Sequence, residues 1–166
     1  MIFVTVGNCR YSFDRLLRKM DEIAGKIDEP VVIQRGHSGY QPQNAEFFDY
    51  VPFDRALDYF RRARIVVGHV ASGTIINAHK FCKPLVAVPR QEHFNEDVDD
   101  HQLETARAIV GRPGIYVVFD LEELKDVISK ILSSHEQLQH NVTVNKDRNR
   151  VIGVIREFIS AAEENC

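Results

Sequence analysis

Tryptophan is absent from this 166-residue sequence, and cysteine occurs only three times, at Cys9, Cys82 and Cys166. An odd number of cysteines without a C-x-x-C spacing argues against a disulfide framework and favours reduced thiols in a cytosol. The sequence also lacks a large excess of either charge, since it has 24 acidic and 21 basic residues and a net charge of −3. The chain therefore lacks the basic excess of a nucleic-acid-binding domain, so its expected partners are small molecules and proteins.

Long hydrophobic runs are missing too. The apolar run at residues 2–6 is far shorter than the roughly 20 residues that span a bilayer, and nothing near Met1 resembles a targeting signal. We therefore expect a cytoplasmic protein. The composition, 44% hydrophobic and 27% charged, is typical of a soluble globular domain.

Short apolar runs alternate with segments of helical periodicity along the chain. Strands are predicted at residues 1–6, 31–34, 47–51, 65–67, 85–88 and 115–119, and helices at 13–20, 54–64, from the 68–74 segment to 81, 99–110, 120–132 and 151–162. Because the strands are continuously apolar, we predict a doubly wound, mostly parallel α/β sheet of the Rossmann-like class. We expect one domain over residues 1–166, with residues 133–166 as a C-terminal helical extension.

Two glycine-containing loops are candidates for ligand binding, because such sheets bind ligands where strands run into helix N-termini. In residues 5–8, Gly7 lets the backbone approach a ligand, although the pattern taken alone favours an ordinary tight turn. In residues 68–74, free N–H groups and the positive end of a helix dipole would form an anion site, with hydroxyl donors from Ser72 and Thr74. The alternative is that Ser72 or Thr74 only caps the helix. Neither a P-loop nor a G-x-G-x-x-G motif occurs.

A third loop, residues 89–102, is rich in acids and contains His93 and His101. Its spacing matches neither the H-E-x-x-H helix nor the EF-hand, so we predict no metal site. A solvated helix N-terminus and a sugar- or ribose-binding loop both remain compatible with the pattern. Cys9 has no nearby sequence base, and no nucleophile elbow is present, so no covalent catalysis is predicted.

Several motifs, taken in order, resemble the Alg13/PssE/EpsF-like family, single-domain relatives of the C-terminal, donor-binding half of glycosyltransferase family 28. The motifs are FVTVG at residues 3–7, FDRL at 13–16, VIQRG at 32–36, ARIVVGH at 63–69, SGT at 72–74, KPLVAVPR at 83–90 and DDHQLE at 99–104. The resemblance extends over residues 1–132. Their number and order make it far more specific than any one loop.

This resemblance implies the C-terminal half of a GT-B glycosyltransferase, binding a UDP-sugar, most often UDP-N-acetylglucosamine. Such a chain is the donor-binding subunit of a two-component inverting glycosyltransferase. Its partner would be a membrane-associated subunit of the Alg14/PssD type, and the acceptor a lipid-linked or polysaccharide-precursor molecule. The chain would then associate peripherally with the membrane through that partner. No cofactor is implied, and a homo-oligomer is also compatible.

The resemblance also implies a set of substrate-binding residues. By position, Gly7 and Asn8 would face the cleft, and Phe53 would offer backbone groups to the uracil. The diphosphate would be held by Ser72, Gly73 and Thr74, and the donor sugar would face His101 and Gln102. His69 and Asn77 would complete the set. No catalytic residue is implied, because the general base can belong to the partner subunit.

The sequence departs from the family pattern at two places. Val70 and Ala71 stand where the family commonly has Gly-Gly or Ala-Gly, and their side chains would narrow the approach to a phosphate. Asn77 stands where the family commonly has a glutamate that binds ribose hydroxyls, and asparagine is shorter and uncharged. Both departures favour an alternative function, that of a non-catalytic nucleotide-sugar-binding, regulatory or recruitment subunit.

Overall fold

The computed structural model describes residues 1–138, with side chains through residue 134. Its strands are β1 (Ile2–Thr5), β2 (Val31–Gln34), β3 (Glu46–Phe48), β4 (Ile65–His69), β5 (Leu85–Val88) and β6 (Ile115–Val117). They pair in parallel in the order β3-β2-β1-β4-β5-β6, so the predicted doubly wound α/β fold is confirmed. The chain divides into a compact unit, Met1–His135, and a second unit, Glu136–Cys166.

The helices follow the predicted alternation. They are α1 (Asp14–Ala24), α2 (Phe53–Arg62), α3 (Ser72–Lys80), α4 (His101–Ile109) and α5 (Leu124–Leu138), with short 3₁₀ turns at Glu92–Phe94 and Leu121–Glu123. Asp120 caps the second 3₁₀ turn, because its carboxylate accepts a 2.9 Å hydrogen bond from the amide of Glu122. The predicted helix at 151–162 lies outside the described residues, as does most of the predicted extension at 133–166. Among the helices of the described part, none is long and apolar enough to cross a bilayer.

The third strand is shorter than the sequence predicts. Instead of residues 47–51, it occupies Glu46–Phe48 at the edge of the sheet. β2, its neighbour in the sheet, ends at Gln34, and Gly36 then turns that chain away with a φ of 58°. After one further backbone hydrogen bond, from the amide of Gly36 to the carbonyl oxygen of Asp49 at 3.3 Å, the chain continues as a loop into α2.

Alternate residues of β1 pack into two core layers on opposite faces of the sheet. Ile2 and Val4 are fully buried among side chains of α1 and α5. Phe3 is buried in the other layer, stacked at 5.3 Å on Tyr59 and edge-on at 5.2 Å to Phe60, both on α2. With helices on both faces, the central strands are apolar throughout, which is why they show no alternation in the sequence.

β1 and β4 lie side by side at the centre of the sheet. From β1 the chain adds β2 and β3 toward one edge, and from β4 it adds β5 and β6 toward the other edge. Thr5 at the end of β1 pairs with Gln34 of β2 on one side and Gly68 of β4 on the other. A Cβ on Gly68 would lie 2.8 Å from the carbonyl oxygen of Thr5, so glycine is needed at this point of the strand. The crevice outside these two strand ends is the usual ligand site of an open α/β sheet.

Candidate functional site

The loop after β1 lies directly against the end of β4. Gly7 has a φ of 70°, and a Cβ at this position would lie 2.6 Å from Cε1 of His69. The backbone of the loop therefore contacts the face of the imidazole. Any larger residue at position 7 would meet both a strained backbone conformation and the ring.

Polar side chains fix this loop in place. The hydroxyl of Thr5 donates to Oε1 of Gln34 at 2.5 Å and accepts from the amide of Gly7 at 3.3 Å. Nε2 of Gln34 donates, at 3.4 Å each, to the carbonyl oxygen of Gly7 and to Oδ1 of Asn8. Asn8 is exposed at the tip of the loop. Gln34 is not among the predicted site residues, although a polar residue closing the apolar run VVIQ is a visible signal.

His69 is the last residue of β4 and is buried at the bottom of the crevice. Burial lowers its pKa to about 4, and the positive charge of Arg90 acts in the same direction. At neutral pH the imidazole is therefore uncharged and brings no positive charge to the crevice. Its Nδ1 lies 3.3 Å from Oγ1 of Thr74.

Helix α3 begins at the crevice without a side-chain cap. Its N-cap residue is Ala71, and no side chain bonds the free amides there, so the alternative that Ser72 or Thr74 caps the helix is wrong. Ser72 and Gly73 are exposed, and a Cβ on Gly73 would have no neighbour within 4 Å. The first-turn amides and the positive end of the helix dipole are therefore available to an anion. Thr74 is buried, and its hydroxyl lies against His69 instead of in the open part of the crevice.

The side chain of the valine before α3 points into the core. The side chain of Val70 is 2% exposed and packs in the core layer that contains Phe3. Neither Val70 nor Ala71 has a positive φ, so the backbone here does not require glycine. The expectation that the side chain of Val70 narrows the approach to a phosphate is therefore wrong, because its volume is taken up by the core.

Gln102, in the first turn of α4, joins the ends of two strands. Its Oε1 accepts hydrogen bonds from the amides of Val70 at 3.1 Å and Arg90 at 3.3 Å. Its Nε2 donates to Oδ2 of Asp97 at 2.9 Å. Gln102 is only 3% exposed, so it holds the loops after β4 and β5 from the buried side.

His101 lies beside Gln102 but is exposed. Its Nδ1 contacts Oδ1 of Asp99, and its Nε2 lies 3.9 Å from Oδ2 of Asp97. Bonding to His101 lowers the pKa of Asp99. The ring is therefore oriented by two carboxylates at the start of α4.

The two remaining predicted residues lie on neighbouring helices. Phe53 is the first residue of α2 and not, as expected, part of the preceding loop; its side chain is exposed. Asn77 is half-buried on α3, one helical turn after Gly73, and residues four apart share a face of a helix. Direct contacts thus join Gly7, His69 and Thr74, whereas Phe53 follows β3 at the edge of the sheet.

An open cavity of about 530 Å³ lies between the loop after β1 and the loop after β5. It is lined by Tyr11, Glu92, His93, Asn95, Asp97, Val98 and Asp100. Carboxylates and aromatic rings without a lysine or arginine suit a neutral, hydroxyl-rich group better than a phosphate. Within the described residues, no three His, Cys, Asp or Glu side chains are grouped so that they would hold a metal ion.

The fold and the crevice agree with the comparison to known protein families. The model of the glycosyltransferase family 28 C-terminal domain matches residues 1–153. The chain belongs to this family. Its six-stranded parallel sheet is that of the C-terminal domain of a GT-B glycosyltransferase. A comparison with curated proteins found no match.

Solved glycosyltransferases have a similar fold. The glycotransferase of kitacinnamycin is 19% identical with a TM-score of 0.62, and the match covers 80% of this chain and 34% of that one. VinC, solved in complex with dTDP, is 20% identical with a TM-score of 0.52, and the match covers 84% of this chain and 36% of VinC. MurG of Acinetobacter baumannii is 14% identical with a TM-score of 0.55, covering 78% and 40%. The chain therefore spans less than half the length of these glycosyltransferases.

Proposed function

We propose that this family 28 domain binds the diphosphate of a UDP-sugar, with UDP-N-acetylglucosamine as the expected donor. The observation that carries the proposal is the uncapped start of α3 at the crevice, where Ser72 and Gly73 are exposed. A diphosphate would accept hydrogen bonds from the first-turn amides and gain from the helix dipole. The complex of the structurally similar VinC with dTDP, also a nucleoside diphosphate, supports this ligand class.

The proposed reaction is inverting transfer, in which an acceptor hydroxyl attacks the anomeric carbon and UDP leaves. Negative charge grows on the leaving diphosphate during this step. Fixed amide donors at α3 stabilise that charge without reorganising, which is usually the largest catalytic term. The neutral imidazole of His69 lies buried under the adjoining loop and contributes no positive charge to the site.

The acceptor-binding half of the proposed enzyme comes from a membrane-associated subunit of the Alg14/PssD type. The motifs shared with the Alg13/PssE/EpsF-like family support this arrangement. The acceptor is then a lipid-linked or polysaccharide-precursor molecule, and the partner brings the chain to the membrane. In this arrangement the general base that takes the acceptor's proton comes from that half.

A second candidate function is a nucleotide-sugar-binding or regulatory subunit without turnover. Asn77 favours it, because a half-buried amide replaces the acid that binds ribose hydroxyls in the family pattern. This candidate predicts nucleotide binding but no transfer, even with the partner present. A pure recruitment subunit predicts no affinity for uridine nucleotides.

Isothermal titration calorimetry of the full chain with UDP, UDP-N-acetylglucosamine, UDP-glucose and UDP-galactose separates these functions. The proposal expects saturable binding of UDP and tighter binding of one UDP-sugar. A transfer assay with the co-purified membrane partner then distinguishes the enzyme from the regulatory subunit. Complete absence of heat with all four nucleotides would reject nucleotide binding and leave recruitment.

A further inference from the structure

Arg90, the second residue after β5, has a fully buried guanidinium group that faces backbone carbonyls. Nη1 donates to the carbonyl oxygens of Tyr11 at 3.1 Å, Ser12 at 3.2 Å and Glu96 at 2.8 Å, and Nη2 donates to that of Val6 at 2.9 Å. The group also stacks on Phe13, with 4.7 Å between Cζ and the ring centre. Its Nε has no hydrogen-bond partner among the described residues.

These acceptors belong to the segments that form the mouth of the crevice. Val6 directly follows β1, Tyr11 and Ser12 precede α1, and Glu96 lies in the loop between β5 and α4. A planar guanidinium can reach carbonyls in several directions at once, whereas the compact ammonium of a lysine cannot. Arg90 thus links the loop after β1 to the loop after β5 through one side chain.

Burying a charge among neutral carbonyls is expensive, and burial lowers the pKa of Arg90. A hydrophobic residue would fill the same volume at lower cost, but it would bond none of the four carbonyls. The arrangement is therefore explained better by the need for one defined loop geometry than by stability.

A second arginine reinforces the same connection from outside. Arg15 on α1 forms a bidentate pair with the buried carboxylate of Glu96, at 2.9 Å and 2.8 Å, and donates to the carbonyl oxygen of Pro89 at 3.2 Å. Glu96 is therefore held by its carboxylate from Arg15 and by its carbonyl from Arg90. Neither arginine hydrogen-bonds the start of α3, where the diphosphate is proposed to bind.

We propose that Arg90 is a positioning residue that fixes the two loops around the 530 Å³ cavity and thereby determines binding of the donor sugar, independently of the diphosphate. The inference rests on the proposed function and assigns the sugar of the bound UDP-sugar to this cavity, whose lining suits a hydroxyl-rich group. Glu92, Asp97 and Asp100 line the cavity and accept hydroxyl hydrogen bonds only while the loop geometry is maintained.

The test compares Arg90→Lys with wild type and with Arg64→Lys. The control arginine pairs with Glu29 at the opposite, amino edge of the sheet. Hydrogen exchange of the free proteins and calorimetric titration with UDP and UDP-N-acetylglucosamine are the readouts. We expect Arg90→Lys to exchange about tenfold faster at residues 9–13 and 92–98 but not at 72–76. Its affinity for UDP stays within about threefold of wild type, while its affinity for UDP-N-acetylglucosamine falls about tenfold or more.

Three results would overturn the inference: wild-type exchange in both loops of a folded Arg90→Lys, equal weakening of UDP and UDP-sugar binding, or loosened loops with unchanged UDP-sugar affinity. If Arg90→Lys does not fold, Arg15→Lys replaces it and is expected to change the same two readouts in the same direction. A wild-type chain that binds no UDP rejects the proposed function instead. Hydrogen exchange of the ligand-free variants still decides whether Arg90 holds the loops.

Discussion

The imidazole of His69 lies directly beneath Gly7, so closely that a Cβ at position 7 would be 2.6 Å from the ring. This contact lies where the paired ends of β1 and β4 meet, at the point where the sheet reverses its strand order. The backbone of the loop after β1 and the buried ring at the end of β4 therefore lie against each other at the bottom of the crevice.

Gly7→Ala should destabilise the protein because it adds a clash with His69 to a φ of 70°. We expect a loss of about 1–3 kcal/mol in the free energy of unfolding, measured in urea. Gly39→Ala is the matched control, since Gly39 has open space around its Cβ position and no positive φ. Equal stability of the two variants would show that the contact with His69 is relaxed in solution.

Sequence periodicity was sufficient for the order of strands and helices in the described residues, because each central strand is buried on both faces. The end of β3 was not predictable, since it depends on the turn that Gly36 makes in a neighbouring strand. The exposed start of α3 at Ser72 and Gly73 was anticipated from the strand-to-helix position of the motif. The orientation of the Thr74 hydroxyl could not be anticipated in this way, because tertiary packing turns it toward His69.

The roles of Arg90 and Gln102 could not be deduced from local pattern either. An arginine after a strand and a glutamine at a helix start usually point to solvent. Here the partners of Arg90 lie up to 84 positions away in the sequence. Gln102 bonds the amide of Val70, 32 positions away. Only the folded structure brings these backbone groups within hydrogen-bonding distance.

Gly73→Asp tests the anion site without weakening the helix. The added carboxylate has room and lies in the first turn of α3, where it should raise the unfolding free energy by about 0.3–1 kcal/mol. The same charge should repel a diphosphate and weaken UDP binding by about tenfold or more in calorimetry. Gly39→Asp, at another open glycine, should leave UDP affinity unchanged. Normal UDP binding by Gly73→Asp would move the diphosphate away from α3.

Gln102→Leu removes the acceptor of two buried amides, those of Val70 and Arg90. We expect a loss of about 2–6 kcal/mol in urea unfolding, because two buried donors are left unsatisfied and each costs about 1–3 kcal/mol. Gln41→Leu, at an exposed position, is the control and should change stability by less than about 0.5 kcal/mol. A loss of unfolding free energy no greater than that of the control would mean that water bonds the two backbone amides in place of the Gln102 side chain.

Acidification should destabilise the protein through His69. Its pKa is about 4 when folded and 6.5 when unfolded, so between these values the unfolded chain binds the extra proton. The contribution is complete above pH 6.5 and is lost as the pH falls toward 4, at up to about 1.4 kcal/mol per pH unit and about 3 kcal/mol in all. Urea unfolding of wild type and His69→Gln across this range isolates the effect, because the carboxylates common to both proteins cancel in the difference. Parallel pH profiles for wild type and His69→Gln would mean that the imidazole is hydrated and protonated in the folded protein.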